Sequence, residues 1–271
     1  AGMDRHRKLF DQRKWGLIVF DEVHHVPSPI HRRSADLQTK HRLGLTATPT
    51  RESDDEEEIF TLIGPPIGTD WGKLFDEGYV AEPEVEIRLV PWGDETEQSE
   101  YSSTSGHDRR QAAASNTGKI DEIHYALAEN PAAKALVFIE YLDQGEAISE
   151  AIDAPFISGE TPHARREKLF DEFRRGELNT LVVSRVGDEG IDLPDAELAI
   201  VASGLGGSRR QGSQRAGRTM RPVGRARMFV LATRGTDEEE FARRRTQHLS
   251  EKGVRVREVS PEDAVVDLPD G

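Results

Sequence analysis

Asp21 and Glu22 stand side by side directly after a four-residue apolar run, Leu17-Ile18-Val19-Phe20. A short apolar run bounded by polar residues is expected to be a buried strand, and in open parallel sheets ligands bind beyond the carboxyl ends of strands. Two carboxylates there suit nucleotide hydrolysis: one holds Mg2+, directly or through water, and its neighbour orients and deprotonates the attacking water. Taken alone, the same pair also describes a solvated turn. A second apolar run, Leu43-Gly44-Leu45, ends in Thr46-Ala47-Thr48-Pro49. The hydroxyls of Thr46 and Thr48 could hydrogen-bond the acidic pair and report its state to another surface; a plain strand-to-loop turn closed by proline is the alternative.

Two more stretches carry chemistry in the second half. In a helix over Gln214-Arg215-Ala216-Gly217-Arg218-Thr219-Met220-Arg221, Arg218 and Arg221 lie three apart on one face, with Gln214 four before Arg218 on the same side. Two guanidinium groups brought together from a second domain are what a developing γ-phosphate charge requires, whereas a basic helix that only coats phosphates would look the same locally. Ser184-Arg185-Val186-Gly187-Asp188-Glu189-Gly190-Ile191-Asp192-Leu193-Pro194 leaves another apolar run. Its glycines let backbone approach a ligand. Ser184 and Arg185 can hold a nucleic-acid backbone, and Asp192 can accept hydrogen bonds from a ribose or an arginine.

These residues need strands and helices to place them. After the first two runs come an acidic stretch, Ile59–Ile63, a Gly/Pro-rich turn and an extended segment, Glu84–Val90. The text between Trp92 and Gly118 is small and polar, and predicts a mobile linker that marks the domain boundary. Ile120, Ile123 and Leu127 then share a helical face, followed by apolar runs at Ala135–Ile139, Thr180–Val183, Leu198–Val201 and Met228–Leu231. A helix is expected from Thr161-Pro162 to Arg175, stopped by Gly176, and another from Thr236, with Glu239 as its capping-box partner, to near Lys252-Gly253. Strands alternating with helices predict an α/β fold with a parallel sheet. The expected domains are 1–91, a linker at 92–117, and 118–271.

Net charge is −14 over 271 residues, which is unpromising for a nucleic-acid binder until its distribution is considered. Of 36 basic residues, 8 are Lys and 28 Arg, and from Gly204 to Arg227 there are seven arginines and no acid. Many carboxylates with few lysines also fits a protein that works in concentrated salt. The absence of cysteine excludes disulfides, thiolate metal sites and cysteine nucleophiles. No run approaches the roughly 18 apolar residues of a membrane span, so a cytoplasmic address without membrane partners is expected.

Asp21-Glu22-Val23-His24-His25, Leu43-Gly44-Leu45-Thr46-Ala47-Thr48, Gly190-Ile191-Asp192-Leu193-Pro194, Gly206-Gly207-Ser208-Arg209-Arg210-Gln211 and Gln214-Arg215-Ala216-Gly217-Arg218 occur in the order of motifs II, III, V and VI of superfamily 2 helicases. With Ile63-Gly64-Pro65, the doubled histidine and the Gly-Gly-Ser-Arg-Arg-Gln run, the chain resembles the XPB (xeroderma pigmentosum group B) helicases over roughly residues 15–250. The resemblance implies two RecA-like domains of the P-loop NTPase type, the first incomplete, with ATP and Mg2+ as cofactors and DNA as partner. It implies that Asp21 coordinates the metal and Glu22 is the catalytic base. His24 would contact the γ-phosphate region or motif III, and Thr46 and Thr48 would couple hydrolysis to DNA movement. Gly190 and Asp192 would touch the nucleotide sugar or bridge the domains, and Gln214, Arg218 and Arg221 would meet the phosphates, the arginines as fingers. DNA would be held by Arg51, Arg165, Arg166, Ser184 and Arg185. The implied function is ATP-driven DNA unwinding in repair or transcription, with repair nucleases or transcription factors as possible partners.

The sequence departs from that family at three points. Ser53 stands where an Arg-Glu-Asp motif beginning at Arg51 would have its Asp, and 92–117 is short for the family's thumb-like insertion. No G-x-x-x-x-G-K-[ST] phosphate loop occurs in these 271 residues. Gly72-Lys73 and Gly118-Lys119 are followed by Leu and Ile, so the chain alone is expected to hydrolyse no ATP. A non-catalytic DNA- or partner-binding module, a metal-dependent nuclease using Asp21 and Glu22, and a restriction or defence-system translocase are the alternatives.

Overall fold

A computed structural model of the chain describes residues 14–21, 23, 39–45, 61–64, 73, 77, 83–184, 193–204, 226–251 and 254–260. Two compact units divide it, Ala1–Thr69 and Asp70–Gly271. In the first, β1 (Trp15–Phe20) runs parallel to β2 (Thr39–Gly44), with Trp15 opposite Thr39 and Phe20 opposite Gly44. Phe20 and Val23 are buried there, with Ile18, Leu62 and Ile63 packed against them. The apolar run at 17–20 is the strand expected; β2 starts four residues before its apolar part, in Thr39-Lys40-His41-Arg42.

The second unit is a seven-stranded parallel sheet. Its elements in chain order are β3 (Pro83–Val90), α1 (Glu95–Ser103), α2 (Gly106–Ala114), α3 (Gly118–Glu129), β4 (Ala135–Phe138), α4 (Leu142–Ala151), β5 (Phe156–Ile157), α5 (His163–Arg175), β6 (Thr180–Val183), β7 (Leu198–Val201), β8 (Ala226–Thr233), α6 (Asp237–Glu251) and β9 (Arg255–Val259). The strands lie in the order β5-β6-β4-β7-β8-β3-β9. The central strands are apolar throughout because helices cover both faces. Leu136 and Phe138 face Phe170 and Phe173 of α5 and Ala242 and Leu249 of α6. Val137 and Ile139 face Ile123 and Ala126 of α3 and Ile148 of α4.

Helix ends follow local chemistry. Gly176 closes α5 in the left-handed region at φ 76°, where a side chain is disfavoured. Thr236 Oγ1 accepts the Glu238 amide at the start of α6, but the Glu239 carboxylate takes the Gly235 amide at 2.7 Å, one residue before the capping-box position.

The segment 92–117 holds two helices where a mobile linker was expected, and β3 belongs to the second unit's sheet although 1–91 was expected to form the first domain. Its polar composition hides a few sufficient anchors. Asp94 caps α1 through the Glu97 amide, Tyr101 is buried against Trp92, and Ala113 and Ala114 are buried at the end of α2. Asn116 then staples the turn: its Nδ2 donates to Pro91 O and Thr233 Oγ1, and its Oδ1 accepts the Gly93 and Gly118 amides. A Cβ on Gly118 would lie 2.5 Å from the Pro91 carbonyl oxygen, so the close approach requires glycine.

Candidate nucleotide and DNA site

Asp21 is exposed at the carboxyl end of β1, beside the end of β2. Backbone bonds bind these ends together: the Leu45 amide donates to Phe20 O at 2.8 Å and the Val23 amide to Leu45 O at 3.0 Å. The residues on either side of Glu22 are thereby tied to the strand that runs into Thr46 and Thr48. Gly44 permits this, since a Cβ there would lie 2.7 Å from Val23 Cγ2 and 2.9 Å from its Cβ. Val23 is 3% exposed and branched at that atom, so it has no flexible end to swing aside. Gly44→Ala is expected to destabilise this unit by about 1–3 kcal/mol, as overpacking does, and to speed hydrogen exchange at the Val23 and Leu45 amides. Unchanged exchange would show that the approach is not tight.

An exposed carboxylate at a parallel strand end is a hard oxygen donor of the kind Mg2+ takes alongside phosphates and water, so Asp21 fits that ion. Glu22, His24, Thr46, Thr48 and Arg51 lie outside the described residues.

In the second unit, Ser184 follows β6 and is 5% exposed; its amide donates to Ile157 O at the end of β5. The chain turns after β5 through a Ser158–Thr161 pair of bonds and enters α5, whose first turns carry Arg165, exposed, and Arg166, half-buried. Arg166 Nε is buried with no hydrogen-bond partner among the described residues. Ser184 and the start of α5 therefore share the carboxyl edge of the sheet. The buried Ser184 side chain is poorly placed to meet DNA directly, whereas Arg165 is free to reach solvent. Arg185, Gly190, Asp192, Gln214, Arg218 and Arg221 lie outside the described residues. The chain leaves the carboxyl edge at Ser184 after β6 and at Gly204 after β7, and the strands that follow begin at Leu198 and Ala226.

The same edge carries residues that motif reading passed over. A cleft of about 190 Å3 is lined by His107 and Arg109 of α2, Glu140 and Tyr141 beyond β4, Gly204, and Asp237 of α6. Its signal in the sequence is weak, because the lining comes from four separate stretches. Among the described residues no helix is long and apolar enough to cross a membrane.

Residues 74–269 match the family described as ERCC3/RAD25/XPB C-terminal helicase, and residues 2–51 match the type III restriction enzyme res subunit. A Haloarcula marismortui protein named putative DNA 3'-5' helicase Rad25 is 92% identical over 97% of this chain and 42% of its own length. The Mycobacterium tuberculosis DNA 3'-5' helicase XPB is 41% identical over 93% of this chain and 46% of its own length. The chain thus spans less than half of these relatives. Among solved structures, S. cerevisiae Dbp5 bound to RNA and ADP BeF3 aligns with a TM-score of 0.58 at 12% identity, covering 97% of this chain and 64% of that one. The Pyrococcus furiosus Hef helicase domain aligns with a TM-score of 0.53 at 18% identity, covering 89% and 76%. At such identities these two show the fold alone: RecA-like α/β.

Proposed function

Because the chain belongs to the ERCC3/RAD25/XPB C-terminal helicase family, we propose that it is the motor part of an ATP-dependent DNA helicase or translocase. The observation that carries this reading is the pairing of Asp21's strand end with the strand end leading to Thr46 and Thr48, locked by the Phe20–Leu45–Val23 backbone bonds. Groups from both RecA-like units are proposed to act on one nucleotide. Asp21 and Glu22 hold the metal side and prepare the water, and Gln214, Arg218 and Arg221 meet the phosphates. Bound Mg2+ would neutralise phosphate charge. His24 senses the γ-phosphate, Gly190 and Asp192 meet the nucleotide sugar, and Thr46 and Thr48 pass the state of the site to DNA. Arg51, Arg165, Arg166, Ser184 and Arg185 form the DNA track, with Ser184 acting by placing Arg185. Unwinding in repair or transcription, partner nucleases or transcription factors, and a cytoplasmic setting belong to the same proposal.

The match of residues 2–51 to a restriction subunit favours, as a second reading, a defence-system translocase with the same chemistry; the match over 74–269 is to the XPB family and outweighs it.

The test is a hybrid in which this chain replaces the matching stretch of the Haloarcula marismortui relative. DNA-stimulated phosphate release from the hybrid is expected, with none from the chain alone, and Glu22→Gln should abolish it. A hybrid that binds DNA but releases no phosphate would leave the non-catalytic module as the better account.

A further inference from the structure

The seven-stranded sheet changes direction between β4 and β7. These strands are neighbours, yet the chain leaving β4 goes on to β5 and β6 on one side, and β8 follows β7 on the other. In open parallel sheets a crevice opens beyond the carboxyl ends of two strands whose connections diverge, and ligands bind there. The cleft of about 190 Å3 lies at that point: Glu140 and Tyr141 follow β4, and Gly204 follows β7. The function proposed above gives it no role.

Its walls are held by bonds of their own. The last turn of α2 is tied down by Gln144 Nε2, which donates to Ala114 O at 2.6 Å, and by Thr233 Oγ1, which donates to Ala113 O at 2.7 Å. Tyr101 is buried; its hydroxyl accepts the Asp237 amide at 3.3 Å, and the Arg109 guanidinium carbon lies 4.4 Å from its ring centre. Arg109 is thereby placed in advance, yet its Nε is buried with no hydrogen-bond partner among the described residues. A donor left unmet in this way gains from an acceptor brought to it. Arg110 beside it is exposed. The His107 and Tyr141 rings meet at 5.7 Å and 58°, making one aromatic wall, and Asp237 presents an exposed carboxylate on the first turn of α6.

The lining selects its ligand by charge. A bare phosphate would meet the carboxylates of Glu140 and Asp237, and a lone amine would meet Arg109 and Arg110. A ligand that suits both is anionic at one end, flat in the middle and a hydrogen-bond donor at the other. A nucleotide has that order: phosphate, ring, exocyclic amino group. The volume is below the about 300–1,000 Å3 of pockets for drug-sized molecules, so the cleft takes a base and leaves the phosphate at its mouth. We propose that it holds one unpaired nucleotide of a DNA strand, the base against the Tyr141 ring, the amino group at the Asp237 carboxylate and the phosphate at Arg109 and Arg110. Aromatic rings hold unpaired bases by stacking, and carboxylates accept from the amino group of cytosine. This rests on the proposed DNA track: Ser184 follows β6, the strand next to β4, along the same carboxyl edge.

Binding of short single strands to the chain itself tests this, with melting temperature as the control on folding. An oligodeoxycytidylate is expected to bind about 5- to 100-fold more tightly than an abasic strand of the same length at the same KCl concentration. It should also bind more tightly than an oligothymidylate, whose base has no amino group. Tyr141→Leu should remove the advantage over the abasic strand and leave abasic affinity unchanged. Asp237→Asn, at an exposed position, should remove the preference for cytosine over thymine, and it tests the cleft even where Tyr141→Leu unfolds the chain. Equal affinity for intact and abasic strands overturns the proposal and leaves the DNA track standing. A folded Tyr141→Leu chain that keeps the advantage, or an Asp237→Asn chain that keeps the cytosine preference, overturns it too. Free deoxycytidine monophosphate should displace the strand only at much higher concentration; displacement at equal concentration assigns the cleft to a free nucleotide and overturns the assignment to DNA. A chain that binds neither strand contradicts the DNA track and this site with it.

Discussion

Replacing Arg88 by Met is expected to destabilise the second unit by about 3–5 kcal/mol, the range for removing one partner of a buried ion pair. Arg88 stands on β3 with its side chain 7% exposed. Its guanidinium donates to Glu122 at 2.6 Å and Glu129 at 2.8 Å, both on α3, and to Glu86 at 3.2 Å. It also lies 3.8 Å from the centre of the Phe229 ring. Burial opposes its charge, but the bonds from Glu129 and Glu122 more than offset that and hold it above its ordinary value. A folded value raised in this way contributes stability that is complete below the unfolded value, itself far above neutral pH, so the effect persists across ordinary pH. Urea unfolding followed by far-UV circular dichroism should show the lowered midpoint. Arg88→Met/Glu122→Gln/Glu129→Gln, which removes the stranded carboxylates, should recover part of it. Added KCl should change the single-variant deficit little, because screening acts on exposed charges.

The second large effect concerns rate. Arg218→Ala in the hybrid is expected to lower kcat for DNA-stimulated ATP hydrolysis by about 100- to 1,000-fold, the scale for removing a preorganised donor from a developing phosphate charge. Melting temperature should be unaffected. Arg218→Lys should recover only a small part, since an ammonium lacks the fork that meets two phosphate oxygens at once. A loss in KM with kcat intact would place Arg218 on ground-state binding instead.

The central strands were legible because burial on both faces leaves a continuous apolar signature. Ala135–Phe138, Thr180–Val183 and Leu198–Val201 need no partner to be recognised. β2 and β9 were not legible in full, since Thr39-Lys40-His41-Arg42 and Arg255-Val256-Arg257-Glu258-Val259 are mostly polar segments drawn into a sheet by their neighbours. The helices at 95–114 were hidden for a related reason: a cap at Asp94 and a few buried residues, Tyr101, Ala113 and Ala114, suffice once the sheet edge receives them. Candidate residues such as Asp21 stand out in the sequence because the chemistry they suggest is local. The buried bonds from Lys119 Nζ to the Ala202 carbonyl and to Glu238 could not, because they join residues 83 and 119 positions apart.

The central proposal is that Glu22 and Arg218 act on one phosphate. A double-mutant cycle of Glu22→Gln and Arg218→Ala on single-turnover ATP hydrolysis by the hybrid tests it most directly. Groups that serve one transition state are strongly non-additive, so the double variant should be about as slow as the slower single variant. Losses that multiply, or an Arg218→Ala hybrid as fast as its parent, would contradict it.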